Sequence, residues 1–155
     1  VCASILPLDH TGYNVRQLLR ARSLGMMAIA ALPEGQISFT AEDMAVPSLA
    51  LETAVRMWNG VMVTPEPNVN WSELSKTFDQ ISQTGKYPVL RLSREAAINL
   101  ADSGSTMVAG YYILDFKKSD IPADKWITLA HRQNKNFFLY RTEDSEQKNL
   151  YTAER

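Results

Sequence analysis

The chain changes its hydrophobic pattern near residue 85. Before that point, apolar residues recur every three or four positions, as they do on one face of a helix. After it, three segments are rich in Val, Ile, Tyr, Phe and Trp, the residue types that favour strands: 87–92, 106–116 and 126–141. This change predicts an α+β fold, with helices packed on a mainly antiparallel sheet of about four or five strands. The amino-terminal half should be helical and the carboxyl-terminal half rich in strands.

Helical spacing predicts three main helices in the first half of the chain. The first follows a short strand at 3–8, and its second part, 24–32, is apolar all round, as a buried central helix would be. After a short strand at 36–39, the second helix covers 49–63. The third begins after Asn70, a good N-cap residue, and ends at Gly85.

The second half is predicted as short strands with one small helix between them. Ser93 caps a helix that continues through Asp102, and 106–116 reads as a central strand. The segment from Pro122 to Arg132 fits two interpretations. One is a single helical turn followed by a hairpin, with 126–131 and 137–141 as its strands, and the alternative is a helix that continues through Arg132.

Size and composition indicate a single globular domain over residues 1–155, with 142–155 as a frayed tail. The formal net charge is −1, which gives no general attraction to nucleic acid or to anionic membranes. Cys2 is the one cysteine, so no internal disulfide is possible, and a cytoplasmic location is the better prediction. The chain starts at Val1, so a leader could have been removed.

Cysteine and histidine side chains provide two candidates for catalysis. Cys2 with His10 forms a possible nucleophile and base, although a small apolar residue at the start of a strand explains Cys2 as well. His131 could work with Asp115 or Tyr112 from the preceding strand, or it could be a surface residue. No metal-ligand spacing and no nucleotide-cradling motif is present, so no metal or cofactor is predicted.

Two further patterns suggest binding to charged partners. Arg16 and Arg20 lie on one face of the first predicted helix and are candidates for binding an anion, although a solvated helix face is the commoner reason for such a pair. Residues 40–62 have the outline of a helix-turn-helix. Its second helix offers few basic residues, so binding to nucleic acid is not predicted.

The loop that contains Pro65, Pro67 and Trp71 is the most plausible contact surface, because Trp71 lies at the edge of an extended, proline-rich segment. The leading functional hypothesis is therefore a non-enzymatic interaction module that binds another protein or itself. It predicts that Trp71→Ala weakens assembly with little loss of stability. The alternatives are a cysteine-dependent enzyme that uses Cys2 with His10 or His131, and a degenerate helix-turn-helix regulator.

Overall fold

The fold is a closed α/β barrel. A computed structural model describes residues 2–8, 12–46, 49–105, 107, 109–133, 137–139 and 150–154. Five strands form a curled, all-parallel sheet in chain order: β1 (Cys2–Pro7), β2 (Met27–Ala31), β3 (Gly60–Val63), β4 (Tyr87–Leu92) and β5 (Tyr111–Leu114). Strand β6 (Phe137–Leu139) pairs parallel with β5, and β7 (Leu150–Glu154) closes the barrel by pairing antiparallel with both β6 and β1.

Each pair of successive parallel strands is joined through a helix, as a parallel connection requires. The helices are α1 (Gly12–Ser23), α2 (Leu51–Met57), α3 (Trp71–Gln83), α4 (Arg94–Asp102) and α5 (Ala123–Gln133). Short 3₁₀ turns at Ala41–Met44 and Lys118–Asp120 precede α2 and α5. None of the helices in the described part of the chain combines the length and the apolar character needed to cross a bilayer.

The barrel divides the core into two layers. Alternate strand residues point inward and fill the barrel with apolar side chains: Ala3, Ile5, Ile29, Met62, Val89 and Ile113. Their neighbours in sequence point outward and pack in a larger cluster that includes helix residues. Strand β5 shows both directions, since Ile113 belongs to the inner layer whereas Tyr112 and Leu114 belong to the outer one.

The prediction of a mainly antiparallel sheet is wrong, because two parallel strands lie inside segments that were predicted as helices. Strand β2 occupies most of 24–32, and β3 forms the end of 49–63. A strand covered on both sides has no polar face, so its sequence is continuously apolar and resembles a buried helix. The break that separates α1 from β2 lies at Gly25, whose φ of 70° is in the left-handed region.

Other strand predictions are also corrected. Residues 36–39 form no regular secondary structure, and within 106–116 the described residues contain only the short strand β5. The hairpin strand at 126–131 is wrong, since these residues belong to α5, as in the alternative interpretation. Part of the predicted tail, Leu150–Glu154, forms β7. Residues 141–149 and 155 lie outside the described residues.

Three elements confirm predictions that rested on local chemistry. Strand β4 has the predicted bounds. Helix α3 follows Asn70, whose side-chain oxygen accepts hydrogen bonds from the backbone N–H groups of Ser72 and Glu73 at 3.0 and 3.3 Å. Helix α4 follows Ser93, whose Oγ accepts a hydrogen bond from the N–H group of Ala96 at 3.2 Å. Such caps act within one turn of the chain, so they do not depend on how the sheet is arranged.

Candidate functional site

The carboxyl ends of strands β2 to β5 surround a cleft of about 230 Å³. Ala31 and Met62, from the ends of β2 and β3, contribute apolar wall. Six side chains bring polar groups to its lining: Glu34, Thr64, Glu66, Arg91, Ser93 and Asp115. In barrels of parallel strands this end carries the active site, because the loops that follow the strands converge there.

The inward direction of alternate strand residues explains why a charged pair lies in this cleft. Val89 and Ile113 point into the barrel, so Arg91 and Asp115, two positions later, are directed inward at its carboxyl end. The N–H group of Asp115 donates to the carbonyl oxygen of Leu92 at 3.0 Å, which keeps the chain beside β4 for one residue beyond β5. Nε of Arg91 then donates to Oδ2 of Asp115 at 2.6 Å.

The second carboxylate oxygen of Asp115, Oδ1, has an unusual environment for a charged group. Oδ1 is buried, and it accepts no hydrogen bond from the residues that the structure describes. A buried acceptor without a donor costs about 1–3 kcal/mol of stability. Arg91 therefore fixes one oxygen of this carboxylate, while the other keeps its capacity to accept a hydrogen bond or a proton.

The loops after β2 and β3 are held together beside this pair. Gly35 has a φ of 86°, which favours glycine, and its N–H group donates to the carbonyl oxygen of Thr64 at 2.9 Å. A Cβ atom on Gly35 would lie 3.5 Å from Oε1 of Glu66, so this carboxylate rests against the glycine backbone. Together with Glu34 and Asp115, Glu66 makes three carboxylates in the cleft lining against the single guanidinium of Arg91.

The cleft carries no evident metal centre. Among the residues that the structure describes, no three His, Cys, Asp or Glu side chains are grouped so that they could hold a metal ion. The side chains of the cleft can form hydrogen bonds, recognise charge and transfer protons.

The predicted pair of Cys2 and His10 lies largely beyond the described part of the structure. Cys2 is the first residue of β1 and so lies at the amino end of that strand, opposite to the cleft. His10 lies outside the described residues. Their use as a nucleophile and a base stays a prediction.

The structure does not bring His131 to the residues proposed as its partners. His131 is exposed in α5, which runs back from the carboxyl end of β5 toward the amino end of the barrel. Asp115 lies in the cleft, and Tyr112 is buried in the layer between the sheet and the helices. A functional role for His131 stays a prediction, but the arrangement across a sheet on which it rested is absent.

The burial of Tyr112 predicts that the stability of the barrel falls at alkaline pH. Burial raises the pKa of Tyr112, although the hydrogen bond that its oxygen accepts from the N–H group of Ala109, at 2.7 Å, acts in the opposite direction. The unfolded phenol titrates near 10. The contribution of Tyr112 is therefore complete below about pH 10 and is lost as the pH rises above that value.

Denaturant unfolding between pH 8 and 11 measures this effect. We expect the free energy of unfolding to fall less steeply with pH in Tyr112→Phe than in the parent chain, because phenylalanine does not ionise. Tyr111 is a partly buried neighbour, and burial also raises its pKa. The variant Tyr111→Phe therefore measures how much this second tyrosine contributes to the slope. Equal slopes in the parent and Tyr112→Phe would contradict the prediction.

The basic and helix-turn-helix candidates lie on the outside of the barrel. Arg16 and Arg20 are exposed on α1, and their binding of an anion stays a prediction. The longer helix required by the helix-turn-helix outline is not formed, because α2 has only seven residues and β3 follows it. Binding to DNA itself is untested, but this motif no longer supports it.

The proline loop has a different position from the one its sequence suggested. Pro65 and Pro67 line the cleft, and Pro65 is buried. Trp71 is only 9% exposed and belongs to the outer core cluster. A contact with a partner through this loop stays a prediction, but the ring of Trp71 offers little surface to such a partner.

Sequence reasoning missed most of the cleft. Glu34, Glu66 and Arg91 were not singled out, and Asp115 was considered only as a partner of His131. The available signal was position: polar residues that end or directly follow short apolar runs, at 27–34, 60–66, 87–93 and 111–115. In a parallel sheet such residues meet at one end, but this signal has meaning only when the runs are recognised as parallel strands.

Comparisons with protein-family models, with curated proteins and with solved structures found no match for this chain.

Proposed function

We propose that this chain binds a small polar molecule in the cleft at the carboxyl ends of β2 to β5 and carries out acid–base chemistry on it. The observation that carries the proposal is the carboxylate of Asp115, with one oxygen held by Arg91 and the other buried without a donor from the described residues. A ligand hydroxyl or ammonium group could supply that donor once the carboxylate turns Oδ1, which is buried, toward the cleft.

The proposed roles follow from the contacts of each side chain. Asp115 accepts a hydrogen bond or a proton from the ligand. Arg91 orients this carboxylate through the 2.6 Å contact to Oδ2, whereas Oδ1 accepts no hydrogen bond from the described residues. Glu66, held against Gly35, is a second carboxylate in the same cleft, and Thr64 and Ser93 add hydroxyl groups. Asp and Glu carboxylates are among the side chains that act as general acids and bases.

The size and charge of the cleft limit the kinds of ligand that it can bind. The volume of about 230 Å³ is below the roughly 300–1,000 Å³ of sites for drug-sized molecules, so a small metabolite is the appropriate size. Three carboxylates against one guanidinium disfavour a multiply charged anion. The proposed substrate class is therefore a small amine or polyhydroxylated compound.

Asp115→Asn tests the proposal. Ligand-observed NMR against a panel of small amines, polyols and carboxylates should find binding to the parent chain, with amines or polyols preferred. The variant should bind the same compounds about 10- to 100-fold more weakly, since a hydrogen bond to a charged group contributes about 1.5–3 kcal/mol. Hits converted to a product by the parent but not by the variant would identify the reaction.

Glu95→Gln is a matched control, because it removes a carboxylate whose side chain is 64% exposed on α4 and which does not line the cleft. Circular dichroism and thermal unfolding establish that both variants fold. Equal binding of the panel by the parent and by Asp115→Asn would refute the assignment. In that case the non-enzymatic interaction module, which no observation yet tests, becomes the leading hypothesis, and the solution mass of the chain tests it next.

A further inference from the structure

A second and larger cavity lies on the outside of the barrel, where the chain leaves β5 and enters α5. It has a volume of about 650 Å³, within the roughly 300–1,000 Å³ range of small-molecule sites. Four apolar residues line it: Ile121, Ala123, Trp126 and Ile127. We refer to it as the α5 groove. It is separate from the cleft, since the two share no lining residue.

The apolar part of the α5 groove is open to solvent. Ile127 is 55% exposed, which is unusual for a large aliphatic side chain in a helix, whereas Ile121 is buried and forms the base. A ligand that covers Ile127 gains about 25 cal/mol for each Å² of apolar surface removed from water. This wall therefore suits the apolar body of a ligand.

The charged groups that line the groove are both positive. Lys117 and Lys118 lie at its edge, and Nζ of Lys118 stands 5.6 Å from the ring centroid of Trp126. An ammonium group at this distance is attracted by the face of the indole. The charge of Lys118 is thus held beside the apolar wall.

Three neighbouring carboxylates lie outside the lining of the groove and make other contacts. Oδ2 of Asp120 accepts a hydrogen bond from the backbone N–H group of Lys117 at 2.8 Å. Oδ2 of Asp124 lies 3.9 Å from Nζ of Lys125, which also forms an ion pair with Asp102. None of these three carboxylates lines the groove.

We propose that the α5 groove binds a small amphipathic anion, with its apolar body against Trp126 and Ile127 and its carboxylate beside Lys118. The apolar wall and the positive edge occur together, so a ligand that has only one of these properties satisfies only half of the site. A cation of the same shape would meet Lys117 and Lys118 and be repelled. The proposal does not depend on the function proposed for the cleft.

Octanoate is the probe, with octylammonium and 1-octanol as matched ligands that keep the eight-carbon chain and change the head group and its charge. NMR titration of the labelled chain should show saturable binding of octanoate with a Kd of about 1 mM or tighter. The largest shifts should fall on residues 117–127. Octanol should bind about 5-fold more weakly and octylammonium more weakly still, because they lose the contact with the lysines.

Two variants separate the apolar and the charged contributions. Lys118→Gln should weaken octanoate about 5-fold and leave octanol unchanged, and Ile127→Gln should weaken both about 10-fold. Lys76→Gln on α3 and Leu19→Gln on α1 are exposed controls that should change nothing. Asp115→Asn should also leave octanoate binding intact, which distinguishes this site from the cleft.

The proposal is overturned if octanoate does not bind, if octylammonium binds equally well, or if Lys118→Gln and Ile127→Gln both bind octanoate like the parent chain. Shifts that fall on the cleft and vanish in Asp115→Asn would also overturn it, because the anion would then occupy the other site.

Discussion

Trp71→Ala is expected to lower the free energy of unfolding by about 3–5 kcal/mol, the usual cost of removing a buried tryptophan. The ring is only 9% exposed and belongs to the cluster that also contains Leu74 and Phe78 of α3. The substitution leaves a cavity between α3 and the rest of the outer layer. Asn70 still caps the helix, so the loss comes from packing and not from the helix end.

Denaturant unfolding measures this loss, and light scattering on the same samples reports the solution mass. Leu19→Ala is the control, because Leu19 is 52% exposed on α1 and its truncation should change stability by less than about 0.5 kcal/mol. If Trp71→Ala instead changes the mass while stability is kept, the ring is a surface contact, as the proline-rich sequence around it suggested. Because Trp71 is buried, we expect the loss of stability and not the change in mass.

The position of Trp71 shows that a local sequence pattern does not determine whether a side chain is buried. A tryptophan after a proline-rich loop looks accessible when the loop is considered alone. In the barrel, this loop joins β3 to α3, and α3 turns back over the sheet. Trp71 is the first residue of that helix and packs inward with it. Burial here depends on the direction in which the chain returns, which the neighbouring residues do not encode.

The sequence predicted the helices whose first turn is marked by a capping residue. It did not predict strands β2 and β3, whose ends carry no such residue. Asn70 and Ser93 mark α3 and α4 because each accepts hydrogen bonds within its own turn. Strands β2 and β3 have no comparable marker, and small residues such as Ala28 and Ala30 fit a buried helix as readily as a buried strand. They pair with each other and with β1 and β4, and all these partners lie elsewhere in the sequence.

The candidate cleft was hidden for the same reason. Arg91 and Asp115 are 24 residues apart, and they meet because β4 and β5 are parallel neighbours in register. An antiparallel arrangement places the ends of successive strands on opposite edges, so it gives no reason to associate these residues. Once the parallel sheet is known, the charged residues at the carboxyl ends of β4 and β5 indicate a site.

Gly60→Ala distinguishes the two interpretations of 49–63 by the sign of its effect. If Gly60 were inside a helix, alanine would stabilise the chain by about 0.8–1.0 kcal/mol. In the barrel, Gly60 begins β3 and pairs with Tyr87 of β4. An added Cβ atom would lie 2.9 Å from the carbonyl oxygen of Tyr87, which is closer than such atoms normally approach. We therefore expect destabilisation of about 1–3 kcal/mol, the usual cost of overpacking.

Equilibrium unfolding of Gly60→Ala shows whether Gly60 lies in a helix or in strand β3. Gly110→Ala is a comparison in which the predicted steric clash is smaller. A Cβ atom on Gly110 would lie 3.3 Å from the carbonyl oxygen of Pro88, so a smaller backbone shift accommodates it and the loss should be smaller. Neither glycine has a positive φ, so left-handed strain does not contribute to either result. A gain of stability in Gly60→Ala would place Gly60 in a helix and remove β3 from between β2 and β4. The parallel arrangement of β4 and β5, which brings Arg91 and Asp115 together, would then no longer be supported.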